Sequence, residues 1–96
     1  MEGHASISPD VLARYAGDAA LEVDGVRGFV KHRPVRIAVN EGAVSVELHV
    51  QLEWGAAFGQ VGSAVQERVA EYLGRMAGER PVRVDVLVDD VGPVRA

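Results

Sequence analysis

Ninety-six residues, 48% hydrophobic and 25% charged with a formal net charge of −4, describe one small globular domain. The chain is too apolar to stay disordered, and its arginines are scattered among carboxylates, so a nucleic-acid backbone is not the expected partner. Without cysteine there is no disulfide, no thiolate catalysis and no cysteine-bound metal; without an apolar run near ~20 residues, or a basic-then-apolar leader in MEGHASISPD, the expectation is a cytoplasmic chain with no direct membrane insertion.

Ser8-Pro9-Asp10 opens a helix: a capping hydroxyl, a proline suited to the first helical position and an acid at the positive end of the dipole. Leu12, Tyr15, Ala16, Ala19 and Val23 recur at three and four, and the turn signal Asp24-Gly25 ends the helix near Glu22. Residues 25–34 (GVRGFVKHRP) read as a locally basic loop with Arg27, Lys31, His32 and Arg33. Val35, Ile37 and Val39 alternate with Arg36 and Ala38, a strand that a tight turn at Asn40-Glu41-Gly42 joins to the next. There Val44, Val46, Leu48, Val50, Leu52 and Trp54 share one face, while Ser45, Glu47, His49, Gln51 and Glu53 share the other. Two strands so joined form an antiparallel hairpin.

From about Ala56 to Arg75 the period changes. Phe58, Val61, Val65, Val69, Tyr72 and Met76 make the apolar stripe of a second helix, with Gly78 at its stop. Pro81 opens a last strand with Val82, Val84, Val86 and Val88 on one face and Arg83, Asp85 and Leu87 on the other; the tail DDVGPVRA is expected to be short and loose. The order helix, strand, strand, helix, strand gives an α+β two-layer sandwich: a three-stranded mixed sheet with both helices on one face, in a single domain with its core at about 7–91. The second strand, second helix and third strand form a right-handed crossover, and the position of the third strand in the sheet is left open.

No constellation in the chain supports chemistry. Gly55, Gly59 and Gly62 follow a strand and open a helix, yet they match neither dinucleotide nor phosphate-loop spacing, and Glu53 and Glu67 flank them. The expected role is structural: Gly55 turns the corner, and Gly59 and Gly62 thin one helix face for a close neighbour. Gly59-Gln60-Val61-Gly62 also spells the G-x-x-G of K-homology RNA modules, where it is a loop between helices; an RNA-binding module of that type is the alternative reading. Ser45, Glu47 and His49 share a strand face at steps of roughly 6.6–6.8 Å, too far apart for a hydrogen-bonded relay. Glu47, His49 and Glu53 at two-residue spacing cannot close a tetrahedral metal site alone. His4 and His32 read as exposed. No cofactor, metal or catalytic residue is expected. A sheet covered on one side leaves a broad polar face, and Arg36, Ala38, Glu47, His49, Gln51, Arg83, Asp85 and Leu87 are its candidate interaction residues.

The whole pattern resembles the alkaline-shock-protein family of Gram-positive bacteria. Carrying it are Ile7-Ser8-Pro9 with Val11-Leu12, the run from Ala20 to Val26, the alternation from Val44 to Leu52, Trp54-Gly55, Val61, Val65-Gln66, Val69, Met76-Ala77-Gly78 and the strand from Val82 to Val88. Phe58 stands where the family usually has isoleucine, and Trp54 where tyrosine is commoner. The resemblance implies a non-enzymatic protein of the stress response and cell-envelope homeostasis. Such proteins self-associate as scaffolds and are held at the inner face of the membrane by an anchoring protein partner. No catalytic residues are carried over with it.

Overall fold

The computed structural model describes residues 7–93. Helix α1 spans Pro9–Leu21 and starts as its sequence dictates: the Ser8 hydroxyl accepts the Val11 N–H at 3.3 Å, with Pro9 and Asp10 in the first turn. The chain then leaves through Gly25, at φ 96°, where an added Cβ would lie 2.8 Å from Val61 Cγ2. Beyond it, the stretch expected to be all loop contains a short strand, β1, at Val26–Gly28. Val26 is fully buried opposite Leu52, and the Glu53 N–H donates to Gly25 O at 2.8 Å. One apolar residue with glycines close on both sides offers no alternation from which to read a strand.

Strand β2 (Val35–Asn40) and strand β3 (Ala43–Glu53) form the expected hairpin, in register from Val35 opposite Leu48 to Asn40 opposite Ala43. Their two-residue turn puts Glu41 at φ 52° and Gly42 at φ 80°, the left-handed pair that matches strand twist. Gly55, at φ 86°, does turn the corner after β3. Helix α2 (Phe58–Ala77) follows, displaced two residues from the expected bounds, and Gly78 stops it in the left-handed conformation at φ 67°. Strand β4 (Arg83–Gly92) runs parallel to β3, from Arg83 opposite Ser45 to Gly92 opposite Glu53. Because β4 lines one edge of β3 over Ser45–Glu53, β1 and β2 both lie on the other edge, end to end. The sheet is therefore four strands in three lanes, not three strands, and the last strand lies beside β3.

The core forms on one side only. Even-numbered residues of β3 from Val44 to Leu52 are buried, and the odd-numbered ones between them are half-exposed. Leu12, Ala16, Ala19 and Ala20 of α1 and Val65, Val69 and Leu73 of α2 close over the buried row as one cluster. The rings of Tyr15 and Tyr72 meet edge to face between the helices, with centroids 5.9 Å apart.

Several positions depart from the sequence expectation. Trp54 does not join the buried row; it is 75% exposed, because the ladder ends at Glu53 and the Trp54 N–H turns back to Gly92 O at 2.7 Å. Val82 is 71% exposed because it precedes β4. Phe58 and Met76, at the two ends of α2, are exposed as well. An added Cβ at Gly59 or Gly62 would meet nothing within 4 Å, so neither thins the helix for a neighbour. Residues 89–92 are strand, not a loose tail. Val88 lies opposite Val50 but Asp90 lies opposite Gln51, so Asp89 is an inserted bulge residue, after which Val91 faces Leu52. Residues 94–96 and His4 lie outside the described residues.

Candidate interaction face

The side of the sheet turned away from the helices is the candidate site. Strand pairing places Ala38, Ser45 and Arg83 in one row and Arg36, Glu47 and Asp85 in the next. His49 then lies beside Leu87, and Gln51 beside Asp90. All eight residues expected on an interaction face are thus brought together on it.

The face is laced with side-chain bonds. His49 Nδ1 lies 2.9 Å from Asp89 Oδ1, and its Nε2 lies 2.9 Å from Glu47 Oε2. Gln51 donates to Asp90 Oδ2 at 2.9 Å and accepts from Arg27 Nη1 at 3.2 Å. Arg83 Nε donates to Asp85 Oδ2 at 2.8 Å. The His49–Glu47 bond corrects the expectation that strand spacing keeps these groups apart: the backbone steps are long, but a glutamate side chain leans along the strand and spans one. Ser45 makes no side-chain hydrogen bond among the described residues, so no nucleophile, base and acid are assembled.

Asp89 and Asp90 are the residues of this face that sequence reasoning missed. In a regular strand they would point to opposite faces. The bulge turns both to the bare side, one to His49 and the other to Gln51. With a carboxylate at each ring nitrogen the protonated form of His49 is favoured, and its pKa is raised, first by the Asp89 hydrogen bond and then by that to Glu47. Partial desolvation and Lys31, whose Nζ is 4.0 Å from Asp89 Oδ2, oppose the shift. The two carboxylates sit at opposite ring nitrogens and do not converge on one point. Among the described residues no group of three His, Cys, Asp or Glu side chains is placed to hold a metal ion.

The basic loop does not act as a unit. Arg27 Nε donates to Pro93 O at 2.8 Å, Lys31 leans toward Asp89, and Arg33 lines an open cleft of about 470 Å3 with Asp10, Arg14, Asp18 and Phe29. Gly59 and Gly62 are helical, within α2, which is not the loop a K-homology module uses. Among the described residues, no helix is long and apolar enough to cross a membrane.

Comparison with known proteins agrees with the fold and with the sequence pattern. The family model that matches, over residues 1–93, is that of the alkaline-shock-protein family, described as having a cell envelope-related function. No curated protein matches the chain by sequence. Among solved structures, MamM-CTD is similar at 19% identity with a TM-score of 0.64, covering 84% of this chain and 96% of that one. A histidine-to-alanine variant of MamM-CTD gives 16% identity and a TM-score of 0.61 over 86% of this chain and 98% of that one. A cadmium form gives 17% and 0.60 over 93% and 100%. At these identities the likeness is one of fold.

Proposed function

We propose that this chain, which belongs to the alkaline-shock-protein family and shares its cell envelope-related function, is a non-enzymatic interaction module. It works by self-association and by binding a protein partner that holds it at the inner face of the cell membrane, as part of the stress response. One observation carries this reading: the sheet is covered on one side only. The bare side has several of its polar groups paired with one another, among them His49 with Glu47 and Asp89 and Gln51 with Asp90, with Ala38 exposed and Leu87 40% exposed beside them. A face on which part of the charge is already paired can be covered by another protein with less desolvation cost than one whose charges are all free.

Carboxylate footprinting at rising protein concentration tests the proposal. Labelling of Asp85 on β4 is expected to fall as copies associate, while Asp18 on α1 and Glu71 on α2 keep their labelling. Uniform labelling at every concentration would contradict it.

A further inference from the structure

We propose that two copies of this chain associate through the free edge of β4, paired antiparallel about Val86, so that their sheets run on as one. The inference rests on the self-association reading and specifies where it occurs. Among the described residues β4 has one strand neighbour, β3, so its other edge carries backbone groups with no strand beside them. The Val84 carbonyl accepts from Gln66 Nε2 at 3.0 Å, a bond that a backbone N–H of a second strand can replace.

Exposure on β4 points to an edge partner and not to one lying on a face. Leu87, on the bare side, is 40% exposed, and its neighbour Val88, on the helix side, is 38% exposed. A partner stacked on either face covers only one of them. A strand laid alongside covers both.

The sequence of β4 then selects the register. Paired about Val86, Val84 meets Val88 of the other copy on the helix side, and Val86 meets itself. On the bare side Asp85 meets Leu87 and Arg83 meets Asp89, each pair occurring twice by symmetry. Moving the centre by one residue sets Asp85 against its own copy or against Asp89. Moving it by two leaves Leu87 and Val88 beyond the partner's strand, or drives the bulge into the middle of the ladder. The charged pair is chemically free to form. Arg83 uses only its Nε on Asp85, which leaves the other guanidinium N–H groups. Asp89 gives Oδ1 to His49, while its Oδ2 is 4.0 Å from Lys31, beyond hydrogen-bond reach. Strand β2, at the opposite side of the sheet, contains no carboxylate to meet Arg36.

Two charges at one exposed position test the register, read as dimer dissociation constants by analytical ultracentrifugation. Leu87→Glu faces Asp85 of the second copy and is expected to weaken association about tenfold or more. Leu87→Lys faces the same carboxylate and is expected to leave association intact or tighter. In this cysteine-free chain Val86→Cys should give a covalent dimer on mild oxidation, while Ala38→Cys on β2 should not. If both charges dissociate the dimer alike and Ala38→Cys cross-links as readily, copies meet through their bare faces: the edge is wrong and self-association stands. A wild-type chain that never associates removes the self-association reading, and this inference with it.

Discussion

The two faces of β3 are made by one run of eleven residues, and they are held by different physics. On the inward face five apolar side chains are buried against two helices, and their order is fixed by burial: a shift of one residue would put all five in water. On the outward face no burial constrains the chain, and the side chains are ordered by specific bonds: Glu47 and Asp89 on His49, Asp90 and Arg27 on Gln51. The inward face should therefore govern stability. The proposed role of the outward face is contact with other protein chains.

Substitutions at adjacent residues break this comparison most directly. Leu48→Ala, at a fully buried position, should cost about 2–5 kcal/mol in urea unfolding, whereas His49→Ala beside it should cost under about 1 kcal/mol near neutral pH. Equal losses would mean that the outward network is structural. A smaller effect separates two glycines. Gly25→Ala, with positive φ and Val61 in the way, should destabilise by about 1–3 kcal/mol. Gly62→Ala, helical and with open space around it, should stabilise by about 0.5–1 kcal/mol. Ser8→Ala removes the cap of α1 and should cost about 1 kcal/mol.

The smallest effect is one of pH, and its sign is fixed. His49 has a raised pKa in the folded chain, so its contribution is complete below the ordinary histidine value of 6.5 and is lost as pH climbs through the raised one. Above that, Glu47 and Asp89 lose the cation they share, and Asp89 keeps Lys31 at 4.0 Å. Unfolding free energies measured from pH 6 upward should fall for the wild type by less than about 1 kcal/mol more than for His49→Gln. A steeper fall in the variant would contradict the assignment.

Legibility in the sequence divides along the same line. The alternation from Val44 to Leu52 announces β3 and its buried face, and three-and-four spacing announces both helices, because burial leaves a periodic mark. Ser8, Gly55 and Gly78 mark a cap, a corner and a stop through local backbone chemistry that composition displays. The eight bare-face residues follow from parity alone. Strand β1 leaves no such mark, since it is held by one buried valine and by backbone bonds to a distant strand. The partner of Gln51, Asp90, could not be named because the bulge at Asp89 is what turns it to the bare side. A signal was present: two adjacent acids between Val88 and Val91, where strict alternation allows one polar residue. Trp54 misled because alternation continues on paper one step past the end of the ladder.

The central proposal is that this chain acts by self-association through the part of its sheet that its own helices and strands leave uncovered. Light scattering coupled to size-exclusion chromatography, over a range of loading concentrations, tests it most directly. The account predicts a mass at a multiple of 10.2 kDa that is held or grows with concentration. A mass of 10.2 kDa at every concentration would contradict it.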